Sequence, residues 1–353
     1  MSTDVAALAR PDIRALEAYV PASYAPGLVR LNANEAPWRS SADATERGLN
    51  RYPEARPGAL TQTLADHYGV PADSLFVTRG TSEAIDLLIR CFCRPGQDEI
   101  VICPPTFGMY AVYANIQAAG IREIPLEDGF TLPVDAILSA WRDTSRLVFV
   151  STPNNPTGNA FDTSDIERLV RGLEGRGIVV LDGAYLEFAD TDAAMALRRY
   201  DNVVVLRTMS KAYGLAGARC GSLIADPEVI ALVTKVMPPY AVPTPSVESA
   251  LVALASEQFE VMPSRIAALI EERERVATAL ADLPITVRVL PSDANFLLVQ
   301  FLDPRRVLDA AADAGLLLRD FSAQAATRDC LRITIGTEAQ NDTLIAALTE
   351  LRS

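Results

Sequence analysis

Between residues 75 and 225 the chain carries a series of short apolar runs, each stopped abruptly by a polar residue, a glycine or a proline. Leu147-Val-Phe-Val150 runs into Ser151-Thr-Pro-Asn-Asn-Pro-Thr-Gly158, Gly177-Ile-Val-Val-Leu181 into Asp182-Gly-Ala-Tyr185, and Val203-Val-Val-Leu206 into Arg207-Thr-Met-Ser-Lys211. Leu75–Thr78, Glu99–Cys103, Ile121–Leu126 and Gly221–Ala225 belong to the same series. Runs this short that lack a polar alternation read as strands covered on both faces. Helical segments such as 58–68 and Ala84–Phe92 lie between them. The alternation predicts an α/β fold, a doubly wound and mostly parallel sheet whose ligands bind at the carboxyl ends of the strands.

A second, smaller α/β unit follows. A long helical stretch over 246–282 is expected to connect it, with strands at Val287–Leu290, Asn295–Gln300, Leu316–Arg319 and Cys330–Ile335, a helix over 304–314 and a terminal helix from about 338. The expected organisation is an N-terminal arm over 1–28, a large domain over 29–275 and a small domain over 276–353.

The strand ends hold the residues with chemical potential. Lys211 sits on a loop of small residues with Ser210, Gly214, Gly217 and Gly221, and Arg219 follows with a fork suited to phosphate. A lysine in such a setting suits a Schiff base to a phosphorylated aldehyde. Gly80-Thr-Ser-Glu83 joins a strand to a helix N-terminus, a place where backbone N–H groups and the helix dipole favour an anion and where Ser or Thr also serves as a cap. Phe107 and Tyr110, beyond the strand ending at Cys103, are both able to stack on a planar ring or to pack in the core. Asn155 offers an amide, and Asp182 a carboxylate that would keep a pyridine nitrogen protonated if a ring lay over it. Arg332 lies inside an apolar strand and Arg319 ends another, and a strand-interior arginine needs a partner or an anionic ligand.

Composition narrows the classes. A net charge of −13 argues against nucleic acid, and no apolar stretch is long enough to span a membrane. With one histidine, His67, read as structural, histidine triads and multi-histidine metal sites are excluded and no metal is expected. Five cysteines without metal spacing read as buried thiols in a reducing, cytoplasmic setting, and the N-terminus has no secretory pattern. No G-x-G-x-x-G and no P-loop is present, so neither a dinucleotide nor a nucleoside-triphosphate site is supported.

The whole chain, in order, resembles the fold-type I pyridoxal-phosphate aminotransferases. The resemblance runs through Leu31-Asn-Ala-Asn-Glu35, Arg51-Tyr-Pro-Glu54, Arg79-Gly-Thr-Ser-Glu83, Cys103-Pro-Pro-Thr-Phe-Gly-Met-Tyr110, Pro153-Asn-Asn-Pro-Thr-Gly158, Leu181-Asp-Gly-Ala-Tyr185, Ser210-Lys211, Arg219 and Leu331-Arg-Ile-Thr-Ile-Gly-Thr337. It implies a seven-stranded large-domain sheet flanked by helices, pyridoxal 5'-phosphate as cofactor, and a homodimer. By the same resemblance Lys211 binds the cofactor aldehyde and then moves protons, and Asp182 pairs with the ring nitrogen. Asn155 and Tyr185 face the ring's phenolic oxygen, and Phe107 stacks on the ring. Thr81, Ser82, Thr208, Ser210 and Arg219 hold the cofactor phosphate, which Tyr52 reaches from the neighbouring subunit. Tyr19, Asn32, Arg319 and Arg332 face the substrate. The activity implied is amino transfer between L-histidinol phosphate and 2-oxoglutarate, giving imidazole acetol phosphate and L-glutamate. Alternatives are an aminotransferase for aromatic or other amino acids, a related phosphothreonine decarboxylase, and a non-catalytic cofactor-binding regulator. Two positions depart from the usual pattern: Gly183 stands where glutamate is common, and Thr81-Ser82 where Ala-Asp is common.

Overall fold

The computed structural model describes residues 4–22, 28–190, 192–255 and 260–351. The apolar runs become β1 (Leu75–Thr78), β2 (Glu99–Ile102), β3 (Gly120–Glu123), β4 (Ser145–Ser151), β5 (Ile178–Asp182), β6 (Val203–Thr208) and β7 (Gly221–Ile224), in one sheet of order β1-β7-β6-β5-β4-β2-β3. β3, β2, β4, β5 and β6 are parallel, and β7 runs antiparallel to both its neighbours, β6 and β1. Side chains alternate across the sheet. Val148, Val150, Val179, Leu181, Val203 and Val205 enter one core, with helices Gly58–Tyr68 and Thr163–Gly172. Leu147, Phe149, Ile178, Val180, Val204 and Leu206 enter the other, with helices Thr81–Phe92 and Pro227–Val236. Helices on both faces explain why these strands are apolar throughout. Each such side chain contributes roughly 1.5–3 kcal/mol on burial, before the entropy cost of ordering it.

The second sheet holds β8 (Thr286–Val289), β9 (Phe296–Phe301), β10 (Arg319–Asp320) and β11 (Cys330–Thr334), antiparallel throughout in the order β10-β11-β9-β8. Leu297, Val299, Phe301, Leu331 and Ile333 pack against helices Met262–Ala281, Pro304–Asp313 and Glu338–Thr349. The opposite face turns Phe296 towards Tyr185 and Phe188 of the large sheet's loops. One face thus builds a core and the other meets the carboxyl edge of the first sheet.

Three elements differ from expectation. Among the described residues the stretch 246–282 holds two helices, Thr244–Leu254 and Met262–Ala281, each with proline in its first turn. Pro263 can start a helix but not continue one, because it has no N–H and its ring clashes with the preceding turn. Leu316–Arg319 is mostly loop. Leu316 and Leu318 pack on the small core, Leu317 is 95% exposed, and pairing begins only at Arg319. The run Ile121–Leu126 is strand only as far as Glu123, although Ile124 N and Leu126 N still donate to Ile102 O and Pro104 O beyond it. Of the N-terminal arm, residues 1–3 and 23–27 lie outside the described residues, and 4–22 hold two short helical turns, Val5–Leu8 and Pro11–Ala15. No described helix is long and apolar enough to cross a membrane.

Candidate active site

Asp182 closes β5 in register with Ser151 of β4 and Leu206 of β6, so it stands at the carboxyl edge at the centre of the sheet. It is 2% exposed. Its Oδ2 accepts a hydrogen bond from Tyr110 Oη at 2.9 Å, while its buried Oδ1 has no hydrogen-bond partner. Burial raises its pKa to about 6, against the Tyr110 hydroxyl, the Ala184 N–H and the Lys211 charge, which all favour the ionised form. A buried carboxylate oxygen without a partner is costly, and a donor reaching it would relieve that cost, a cationic one most. A protonated pyridine nitrogen is such a donor, so the residues fit the cofactor expected from the sequence.

Lys211 lies just past β6 on a loop held by its own backbone: Gly214 N donates to Lys211 O, Leu215 N to Met209 O and Met209 N to Cys220 O. Gly214, at φ +68°, makes the turn that most residues resist. The Lys211 ammonium lies 5.6 Å from the centroid of the Tyr185 ring. Although the residue is exposed, partial desolvation and then the charges of Arg332 and Arg219 lower its pKa, with Asp182 pulling the other way. A lowered pKa leaves more of the amine neutral near pH 7, as a nucleophile or base requires.

The anion cradle forms where β1 meets the helix Thr81–Phe92. No side chain caps that helix, whose N-cap Gly80 has φ +81°. A Cβ on Gly80 would come 2.8 Å from Arg219 Nη2, and one on Gly221 would come 2.8 Å from Gly80 Cα. Both glycines therefore permit a close approach. Arg219 Nη1 donates to Ala216 O at 3.1 Å and to Ser210 Oγ at 3.4 Å, and Ser210 N donates to Thr208 Oγ1 at 3.1 Å. Ser82 and Arg219 share a cavity of about 260 Å³ with Arg79, Glu83, Asp86 and Tyr113. Thr81, Ser82, Thr208, Ser210 and Arg219 thus gather around one helix N-terminus, an arrangement suited to a phosphate.

On the other side of Lys211, Asn155 Nδ2 donates to Tyr185 Oη at 3.3 Å, and Asn155 Oδ1 accepts from Arg332 Nη1. The small sheet's open face thereby enters the site. Arg319 and Arg332 are direct partners in the β10–β11 register. Among the described residues neither joins an ion pair; the small unit's bridges belong to Arg273, Arg275 and Arg305. Like charges directly opposite each other destabilise a strand pair. The ring of Phe321 lies under both, 6.0 Å from Arg319 and 5.3 Å from Arg332, and Phe296 lies 5.2 Å from Arg332. Cation–π contact offsets part of the repulsion. Burial lowers the pKa of Arg332 first, and Arg319 lowers it further. An anion with more than one charge would relieve the pair.

Not every expected residue joins this group. Phe107 is half-buried and edge-on to Tyr110 at 5.6 Å. Tyr110 is not available to stack on a ligand: it is fully buried, and its hydroxyl is spent on Asp182. Tyr52 stacks on Tyr240 at 4.9 Å beside a separate cleft of about 410 Å³, clamped by Glu35 at its N–H and Arg30 at its carbonyl. Tyr19 and Asn32 are exposed on the N-terminal segment. His67 binds Tyr213 at 2.6 Å beneath the lysine loop, a structural position. Phe296 and Phe321 went unread because a lone phenylalanine carries no signal of the guanidinium it will meet. No cluster able to hold a metal occurs among the described residues.

The departure at Gly183 has a steric reason. A Cβ there would lie 2.2 Å from Leu186 Cδ1 and 3.1 Å from Leu206 O. Gly183→Ala is expected to lower stability by about 1–3 kcal/mol through overpacking, read as a lower urea midpoint at unchanged slope.

The family model for aminotransferase class I and II matches residues 29–348. The chain is 44% identical to a histidinol-phosphate aminotransferase of Stenotrophomonas maltophilia, over 99% of this chain and 98% of that one. It is 45% identical to that of Xanthomonas euvesicatoria, over 97% and 96%. Among solved structures, histidinol-phosphate aminotransferase from Sinorhizobium meliloti in complex with pyridoxal-5'-phosphate matches with a TM-score of 0.78 at 26% identity, covering 85% of this chain and 82% of that one.

Proposed function

The chain belongs to the aminotransferase class I and II family, and on that premise we propose that it transfers the amino group of L-histidinol phosphate to 2-oxoglutarate, giving imidazole acetol phosphate and L-glutamate, a step of histidine biosynthesis. Its cofactor is pyridoxal 5'-phosphate, which supplies an electron sink for the electrons released when a substrate Cα proton is removed. The observation that carries the substrate reading is the unneutralised pair Arg319–Arg332 beside Lys211. Guanidinium forks take phosphate and carboxylate alike, so one pair serves the phosphate of the donor and the carboxylates of the acceptor.

In this reading Asp182 Oδ1 holds the proton of the ring nitrogen. Thr81, Ser82, Thr208, Ser210 and Arg219 bind the cofactor phosphate, Phe107 packs on the ring, and Asn155 and Tyr185 face its phenolic oxygen. Lys211 would hold the cofactor aldehyde, and its amine, when free, would take the substrate Cα proton and return it. Its lowered pKa supplies the neutral amine for this step. Tyr19 and Asn32 complete the substrate side.

The active form is proposed to be a homodimer in the cytoplasm, with Tyr52 serving the neighbouring site. Val20, Leu28, Val29, Leu31 and Trp38 are all exposed in the single chain, Leu31 by 92%, and a surface this apolar calls for a partner. Five buried free thiols fit a reducing compartment. Residues 1–28 then act as an arm on the small domain or the partner, 29–275 as the cofactor domain and 276–353 as the small domain.

The test is turnover with histidinol phosphate, phenylalanine and threonine phosphate as competing donors. Histidinol phosphate should give the highest kcat/KM, and a preference for phenylalanine, or carbon dioxide release from threonine phosphate, would replace this reading. Arg319→Ala should raise KM for histidinol phosphate about 10- to 100-fold, the loss of a charge-assisted contact, with a smaller change in kcat.

A further inference from the structure

A carboxylate that must present one oxygen to a ligand needs its other oxygen held. Asp182 has four neighbours with a bearing on this: Tyr110 from the helix after β2, Ala184 and Tyr185 after β5, and Lys211 after β6. Among the described residues its side-chain partner is Tyr110, which donates from Oη to Oδ2 at 2.9 Å, and the Ala184 N–H adds a backbone contribution. The Tyr110 ring is 0% exposed and stacks on Phe149 of β4 at 4.7 Å and 17°. Phe149 is itself buried in the sheet, so the stacking holds the Tyr110 ring, whose hydroxyl lies between Asp182 and Ser151. The other oxygen, Oδ1, is left buried and unpaired.

We infer that Tyr110 is the positioning residue of the cofactor site: its hydroxyl holds Asp182 ionised and turned so that Oδ1 faces the ring nitrogen. The inference rests on the reading of Asp182 as that nitrogen's partner. It deepens that reading, because an aspartate in so dry a place would otherwise tend to protonate and lose the charge the ring requires. In this inference Tyr110 acts through Asp182, to which its hydroxyl donates.

The test uses the full-length chain freed of cofactor and pyridoxamine phosphate as probe, which binds without a covalent link to Lys211. Affinity is measured by equilibrium dialysis from mildly acidic to mildly basic pH. The probe's own phosphate titration is common to all proteins and cancels in the comparison. The wild type should bind more tightly as pH rises through the ionisation of Asp182. Tyr110→Phe keeps the ring and its stacking, as circular dichroism would verify. It should bind about tenfold or more weakly at neutral pH, the size of one hydrogen bond to a charged group, with its midpoint shifted upward. In an Asp182→Asn background, where there is no carboxylate to ionise, Tyr110→Phe should change little, the non-additivity of residues acting as one unit. Equal affinity and an equal midpoint in wild type and Tyr110→Phe would overturn the inference while leaving the cofactor reading intact. So would a Tyr110→Phe loss of the same size in both backgrounds. Failure of the wild type to bind the probe at all would overturn both.

Discussion

Lys211→Ala is expected to reduce turnover of histidinol phosphate by about 10⁴-fold or more, because the change removes the group proposed as both nucleophile and proton carrier. The fold should survive. Lys211 stands exposed on a loop fixed by the backbone bonds at Met209, Gly214 and Leu215, and its side chain's recorded contact is with the face of Tyr185. A stability change within about 0.5 kcal/mol is therefore expected, as for a surface substitution. The same lysine sets an acid limb in the wild-type pH profile. The rate should rise as Lys211 loses its proton, and because desolvation, Arg332 and Arg219 lower its pKa, that inflection should lie below the ordinary lysine range. A Lys211→Ala protein turning over at the wild-type rate would show that the proton moves by another group.

Asp182→Asn separates function from stability. The amide oxygen can still accept from Tyr110, so the packing around β5 need not move. What disappears is a negative charge in a dry site, and with it the group proposed to keep the ring nitrogen protonated. A fall of roughly 10²–10³ in kcat is expected, the usual scale for removing one preorganised electrostatic contact. Stability should move the other way or not at all. In the ligand-free chain the carboxylate is held at a cost, its pKa raised to about 6 chiefly by burial and one oxygen unpaired. A neutral amide avoids the cost of a buried charge. Kinetics and urea unfolding on the same preparation test the pair of expectations. A large loss of stability would mean that Asp182 is a structural anchor rather than a strained functional group.

The large sheet could be read from the chain because helices cover both its faces, which leaves strands such as Val203–Leu206 apolar without interruption. Lys211, Asp182 and Asn155 could be read because they follow directly on such strands, where an open α/β sheet binds its ligands. The contacts that complete the site could not. Tyr110 meets Asp182 across 72 positions, and Arg332 meets Asn155 across 177. Neither separation carries a local period, and Tyr110 looked like a second ring-stacking aromatic until its burial was known. Phe321 follows the short strand β10, which the run Leu316–Leu318 disguised as a longer one. The broken helix is a different case. Pro263 was visible in the sequence, and helical periodicity on both sides of it outweighed the one residue that forbids continuation.

Lys211 and its neighbours are proposed to take an amino group from histidinol phosphate onto pyridoxal phosphate. A spectrum tests it most directly. Histidinol phosphate alone, without an acceptor, is added to the cofactor-loaded protein and the cofactor's absorbance is followed. Stoichiometric conversion to the pyridoxamine form is expected, reversed by 2-oxoglutarate and absent from Lys211→Ala. A loaded protein whose spectrum is unchanged by histidinol phosphate but converted by phenylalanine would contradict the substrate. One that takes up no cofactor would contradict the site.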